Sequence, residues 1–425
     1  MDRRNATSRH FATPRPDRPR PDRPRRRGRV STVVGLLVVA AIVGGGVWLW
    51  FNRSVSVSLN GSRADVKIDS TLADIIAARE LGPKPGNLVS VGGNVLEEGG
   101  GAAFTATVNG QELDDAGVEA FRARGDEQIV IGDGKDVTEP SREEEREVQP
   151  QLEPPAGVGS VTFVAQYGKV GRQVFRIGEV SGEEVAGEVL QESQNVKIES
   201  INPKPSDGRK LIALTFDDGP SSYTQRYLDI LSKYGIHATF FCLGSAAAAN
   251  PGLIQAIVAQ GSQVASHTQN HQQLTAVDAP TLQAEVTEAF EAISTAGGGT
   301  TTVIRPPYGS FNTESWANSA GTLSSSVIWN LDSLDWKRPG ADTIVRNCTS
   351  GAFNGSIILM HDGGGNRDQD LEALPKIIEQ LQGEGYQFVT VSELMASDER
   401  IPPEVATGTA TIPEGFVWAS TVVGA

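Results

Sequence analysis

The densest chemistry in this 425-residue chain ends a short apolar run, Leu211-Ile-Ala-Leu-Thr-Phe-Asp-Asp-Gly-Pro220. Five of the six residues from Leu211 to Phe216 are apolar, too short a run for a helix and right for a buried strand. Asp217 and Asp218 therefore fall at a strand's end, and Gly219-Pro220 turns the chain away. Carboxyl ends of parallel strands are where α/β folds collect their reacting groups. Two adjacent carboxylates there repel unless a cation or a proton separates their tasks. A capping Asp-Gly turn accounts for Asp218 alone, but not for the histidines and carboxylates downstream.

Four more polar clusters recur. Ser266-His267-Thr-Gln-Asn-His271 holds a His-x3-His pair, which in a helix sets two imidazoles one turn apart, suited to one metal ion. The chain has five His, and His267, His271 and His361 all fall at expected strand ends. With Asp218 the pair offers two nitrogens and one oxygen, leaving positions open as catalytic zinc sites do. The others are Arg305-Pro-Pro-Tyr-Gly309, Asp332-Ser-Leu-Asp-Trp336 and Leu359-Met-His-Asp362. Taken singly, each has a plain reading: a Pro-stiffened loop, a core Trp beside a capping Asp, and a satisfied core His.

The elements that must position these clusters alternate. Strands are expected at 211–216, 238–243, 263–267, 303–305, 327–331, 356–361 and 387–391. Helical patterns lie between most of them, at 223–233, 251–260, 281–294, 342–349 and 370–384. Such alternation predicts an α/β fold with a parallel sheet, and seven strands with polar clusters at their ends fit a barrel.

Together the five clusters resemble the polysaccharide deacetylase family, the NodB-homology or carbohydrate esterase family 4 domain, over residues 207–397. The resemblance implies a distorted (β/α) barrel and a set of roles. Asp218, His267 and His271 would bind a divalent metal, commonly Zn2+, or another such as Co2+ or Mn2+. Asp217 would be the general base, held ionised and oriented by Arg305. Tyr308 would supply a backbone N–H to the oxyanion. Pro307, Tyr308, Trp336 and Leu359 would line the substrate pocket. His361 would be the general acid, its pKa raised by Asp335. Elementary chemistry agrees with that division, since amide hydrolysis needs an activated nucleophile, fixed donors for the oxyanion and a proton for the leaving amine.

Residues 1–30 hold eleven Arg against three Asp, so the acidic excess behind the total charge of −15 lies after them. Acidic composition there argues against a nucleic-acid partner. The Arg-Pro repeats predict a disordered cytoplasmic tail. Residues 31–52 predict a single-pass transmembrane anchor with Trp48 and Trp50 at its outer end. The Arg cluster then puts the N-terminus inside and the catalytic domain outside the cell membrane. A cleaved signal peptide is the rival, although Trp-Leu-Trp-Phe offers no small-x-small cleavage site.

After the anchor, an Asn60-Gly61 hairpin and a helix over 71–80 predict a small β-grasp-like module at 53–135. Residues 136–200 resemble the G5 module of bacterial surface proteins, which implies a slender β spacer or a carbohydrate binder. Residues 398–425 read as a C-terminal tail. Cys242 and Cys348 are the only cysteines, open to a disulfide or to plain core packing.

The function expected is metal-dependent removal of N-acetyl groups from a wall polysaccharide, above all the N-acetylglucosamine of peptidoglycan. Chitooligosaccharide or exopolysaccharide deacetylation and acetylxylan esterase activity stay open. The rival from another class is a wall-carbohydrate-binding protein without activity.

Overall fold

The computed structural model describes residues 30–424, with side chains of residues 30–37 and 51 excepted. Residues 1–29 of the expected basic tail lie outside the described residues. Val30–Phe51 is helical. Among the described residues no helix is long and apolar enough to cross a membrane. Val38, Val39, Ile42, Val43 and Val47 are nevertheless exposed.

The chain divides into two compact units. The first runs to Ser141 and includes Gly178–Glu183. Ser54–Leu59 and Ser62–Lys67 pair antiparallel around Asn60 and Gly61, whose φ values of 48° and 80° both lie in the left-handed region. That is the geometry an Asn-Gly hairpin turn requires. Ser54–Leu59 also pairs in parallel with Gln128–Asp133. The helix Leu72–Ala78 opens on a Thr71–Asp74 capping box, and its Leu72 and Ile75 pack against Val57, Leu59, Val66 and Ile129.

The second unit holds the site, on a sheet built from ten strands. They are β1 (Val161–Gln166), β2 (Lys197–Ile201), β3 (Leu211–Asp217), β4 (Thr239–Cys242) and β5 (Gln263–Ser266). After these come β6 (Val303–Ile304), β7 (Ser325–Val327), β8 (Leu331–Asp332), β9 (Ile357–His361) and β10 (Gln387–Val389). Their order is β2-β1-β7-β6-β5-β4-β3-β9-β8, with β10 also paired to β3. From β7 to β8 all neighbours are parallel.

One connection forces this sheet to curl. β7 and β8 stand at opposite ends of the seven parallel strands, yet only residues 328–330 separate them. Four peptide links reach about 15 Å, whereas six strand spacings in a flat sheet are about 29 Å. The ends must bend toward each other, as in a distorted, open barrel. Asn330 bridges the crossing: its N–H donates to the Ile357 carbonyl, and its Oδ1 accepts from the Ile357 N–H. The single strand expected at 327–331 is thus two strands of different location. Its apolar residues suited a strand, but the barrel places a crossover there.

Alternation along β3 sorts the core into two layers. Ile212, Leu214 and Phe216 pack under the helices with Phe240, Cys242, Ile358 and Met360. Leu211 and Ala213 face the barrel interior with Phe241, Ala265, Val303, Val327 and Ile357. Thr215 and Asp217 continue that interior row toward its carboxyl end.

Two expected boundaries move. Residues 136–200 do not form a spacer apart from the catalytic sheet, because β1 pairs antiparallel with β7, and β2 with β1. The misreading has a cause: β1 alternates like a half-exposed hairpin strand, but Val161, Phe163 and Val164 are all buried. Gly171–Gly178 and Glu184–Gln191 do form an antiparallel hairpin. The C-terminal segment is no free tail, since Ile401, Val405, Ala406 and Ala410 join the interior cluster. Cys242 and Cys348 are both free and buried in one core layer.

Candidate active site

Strand register brings the clusters together. Asp217 ends β3 directly opposite His361, which ends β9. Ser266 and Ile304 are opposed on β5 and β6, so the next residues, His267 and Arg305, emerge side by side. Pairing of β9 with β8 draws in the turn Asp335–Lys337, which carries Asp335 and Trp336.

Arg305 is fully buried behind Asp217. Its Nη1 donates to Asp217 Oδ1 and to Thr215 Oγ1, both at 2.7 Å. Its Nε reaches the Val327 carbonyl at 3.2 Å, and its guanidinium lies 4.1 Å from the Phe241 ring centroid. A cation tied to a carboxylate, a hydroxyl, a carbonyl and an aromatic face has little freedom left. Burial pushes the Asp217 carboxyl above the usual range, while the Arg305 charge pulls against it. Oδ1 is committed to Arg305, and Oδ2 faces the cavity, 3.8 Å from His267 Nε2.

Asp218, His267 and His271 converge, but not on a helix. A loop carries both histidines, with left-handed φ at Thr268 (70°) and His271 (60°), and Asp218 also has φ 68°. Asp218 Oδ1 lies 3.6 Å from His267 Nε2 and 3.4 Å from His271 Nε2. The His267 Nδ1 sits 2.7 Å from the Arg305 carbonyl. A carbonyl only accepts, so the ring proton belongs on Nδ1 and the Nε2 lone pair points at Asp218. Burial above all, with the nearby His271 and Arg305, takes the His267 pKa down to about 3, so the ring is neutral. Asp218 Oδ1 is buried without a hydrogen-bond partner. A buried orphan oxygen facing two imidazole nitrogens is a donor set that fits a divalent cation, and these residues form a group of metal-ligating type.

His361 is gripped twice by Asp335. Its Nδ1 is 2.7 Å from Asp335 Oδ1, and its backbone N–H donates to Oδ2 at 2.8 Å. Burial alone would lower the imidazole pKa. The hydrogen bond and charge of Asp335, helped by Asp217 and Asp218, outweigh it and hold His361 up at about 9. Arg367, buried, stands 3.9 Å behind Asp335.

These groups open on a cavity of about 540 Å³ lined by Asp217, Asp218, His267, His271, Tyr308, Trp329, Asp332, Trp336, Leu359 and His361. Tyr308 and Trp336 are 68% and 55% exposed at its rim. Arg305 and Asp335 lie behind it as the partners of Asp217 and His361. Pro307 is buried and is not part of the lining, although the sequence reading put it there. A larger groove of about 870 Å³, between Asp332, Arg346 and Glu384, holds no comparable convergence of groups.

Sequence reasoning missed Thr215, Trp329, Asp332 as a lining residue, and Arg367. Thr215 had a signal, since it shares the inward face of β3 with Asp217. Arg367 had none, because it reaches Asp335 only through tertiary packing.

Comparisons with known proteins find relatives over the part of the chain that carries the site. The model of the family described as polysaccharide deacetylase matches residues 204–322. A peptidoglycan-N-acetylglucosamine deacetylase of Bacillus cereus is 36% identical over 192 residues, 44% of this chain and 90% of that protein. A chitooligosaccharide deacetylase of Sinorhizobium fredii is 37% identical over 196 residues, 43% of this chain and 91% of that protein. Among solved structures, the peptidoglycan deacetylase PdaC of Bacillus subtilis is similar at 35% identity and a TM-score of 0.42, over 45% of this chain and 92% of that one.

Proposed function

The chain belongs to the polysaccharide deacetylase family, and on that premise we propose that its cavity hydrolyses the N-acetyl groups of N-acetylglucosamine residues in peptidoglycan. The observation that carries the reading is that Asp217, backed by a cation, and His361, backed by a carboxylate, line one cavity with the Asp218–His267–His271 cluster.

Asp218, His267 and His271 would hold the divalent cation. When bound, it supplies Lewis acidity that polarises the acetyl carbonyl and eases deprotonation of water near neutral pH. Asp217 takes the proton of the attacking water at Oδ2, because Oδ1 is held by Arg305. The acetyl carbon gains a C–O bond, and its oxygen develops negative charge that the Tyr308 backbone N–H is assigned to receive. His361 gives the proton on Nε2 to the departing amine, since Nδ1 is committed to Asp335. The C–N bond then breaks, leaving acetate and a free amino sugar. Trp336, Tyr308 and Leu359 supply the apolar walls that seat a sugar ring and its acetyl group.

The second reading within the class is a chitooligosaccharide, favoured by the Sinorhizobium fredii relative. Two features of the N-terminal stretch support a wall substrate instead. The Arg-rich residues 1–29 precede a helix with exposed Val38, Ile42 and Leu49, which we assign to membrane anchoring with the deacetylase outside the cell. Acetate release from purified peptidoglycan and from chitopentaose, with and without chelator, tests the whole reading. Release only from the chitin oligomer would replace the substrate. No chelator-sensitive release from either would remove the activity.

A further inference from the structure

The two histidines of the cluster are held differently. His267 is buried and oriented through its Nδ1 bond to the Arg305 carbonyl. The His271 ring is partly exposed, and among the described residues its Nδ1 has no hydrogen-bond partner. The Tyr308 and His267 rings approach it edge-on, at 4.8 and 5.0 Å between centroids, and neither bonds its Nδ1. What places His271 is therefore its backbone, and that backbone is strained at φ 60°.

Inside the loop the His271 N–H donates to Thr268 Oγ1 at 3.2 Å, and a second anchor comes from outside it. The helix Ala279–Ile293, N-capped by Asp278, presents Glu285, which is 3% exposed. Glu285 Oε2 accepts from the Asn270 N–H at 2.8 Å. Its Oε1 accepts from Asn270 Nδ2 at 3.1 Å and from Gln272 Nε2 at 3.0 Å. The Glu285 carbonyl also accepts from the Gln269 N–H at 2.8 Å. Residues on both sides of His271 thus hang from one buried carboxylate, and among the described residues no cation pairs with it. A carboxylate removed from water without a counter-ion is costly, and donors from this loop are what satisfy it.

We propose that Glu285 is the positioning residue of the cation site, fixing the loop of residues 269–272 so that His271 Nε2 stays within reach of Asp218. This rests on the reading of Asp218, His267 and His271 as cation ligands. Glu285→Gln keeps the size but turns one acceptor into a donor facing the donors of Asn270 and Gln272. The loop then loses its anchor while all three ligands remain.

The test is Co2+ titration of the full-length, metal-free protein, read by absorption spectrum and by competition with a chelator, beside a thermal melt. Groups that orient metal ligands typically contribute about 10–100-fold to affinity, and that is the loss expected for Glu285→Gln. Saturating Co2+ should restore most of the activity, with the pH profile unchanged. Asn270→Ala/Gln272→Ala, which alters two exposed side chains and keeps Glu285, should weaken Co2+ binding in the same direction by a smaller factor. Wild-type affinity in folded Glu285→Gln overturns the proposal. If that variant does not fold, wild-type affinity in the double variant overturns it. Absence of Co2+ binding by the unaltered protein would instead refute the cation site itself.

Discussion

Asp217 and His361 are direct partners on the ladder between β3 and β9, so the expected base and acid share one rung of the sheet. Both are largely removed from water, and what distinguishes them is the charge behind each. Arg305 backs the carboxylate and Asp335 backs the imidazole. Each partner favours the ionised form, an Asp that can take a proton and a His that can give one. Two strands in register therefore deliver opposite proton-transfer roles a few ångströms apart.

The pH dependence comes from the His361 side of that pair. His361 donates only while protonated, and its pKa is raised to about 9. Activity should fall as pH rises through that value. Asp335→Asn should draw this alkaline limb down toward the ordinary histidine value of about 6.5. Stability has the same sign. The contribution of a raised histidine pKa is complete below its unfolded value and fades as pH climbs through the folded one. Profiles of kcat/KM for both proteins, with melts across pH, check this. An unmoved limb in folded Asp335→Asn would assign the acid elsewhere.

Much of this site was legible because parallel α/β folds put chemistry at strand ends, and strand ends show in sequence. Asp217, His267, Arg305 and His361 each close or follow a short apolar run. What escaped were relationships made by curvature and packing. Nothing local in Ile328-Trp-Asn330 says that the chain crosses the barrel there. Nothing near Glu285 announces that the helix following the His271 loop turns back to hold it. The burial of β1 and of Ile401–Ala406 was hidden for a similar reason: β1 pairs on one side with the distant β7, and Ile401, Val405 and Ala406 join a cluster that includes Val161 and Leu211.

The cation ligands separate from other histidines by substitution. His267→Ala removes a buried nitrogen aimed at Asp218 and should abolish stoichiometric cation binding, with far-ultraviolet circular dichroism close to the unaltered protein. His237, exposed and outside the cavity, is the control, and His237→Ala should keep both metal and activity. Equal metal content in the two purified variants would exclude His267 as a ligand.

Thr215 carries a prediction that no motif suggests. Its hydroxyl donates to the Ile358 carbonyl at 2.6 Å and accepts from Arg305 Nη1 at 2.7 Å, in a fully buried position. Thr215→Val keeps the shape and removes both bonds, leaving a guanidinium N–H short of one partner. Buried groups left unsatisfied cost about 1–3 kcal/mol, so a clear drop in melting temperature is expected. Activity should fall as well, because the grip on Asp217 loosens. An unchanged melt would show that Arg305 finds another acceptor.

Asp217 and Asp218 are neighbours of identical composition to which the geometry gives different surroundings, and their variants should part accordingly. Asp217 is tied to Arg305 through Oδ1, whereas Asp218 Oδ1 is unpartnered and faces both imidazoles. Asp217→Asn keeps size and hydrogen bonding but removes the proton acceptor, so kcat should fall by about 10²–10⁴-fold, the usual general-base contribution. Bound metal should persist, because all three ligands are untouched. Asp217→Asn also leaves a buried Arg305 without its counter-charge, so a melt must accompany the kinetics. Asp218→Asn should weaken metal binding, and excess metal should restore part of its activity. Metal content and acetate release measured on both variants decide between the roles. If Asp217→Asn is the variant that loses metal and is rescued by adding it, base and ligand are exchanged, and the proton path from Oδ2 is wrong.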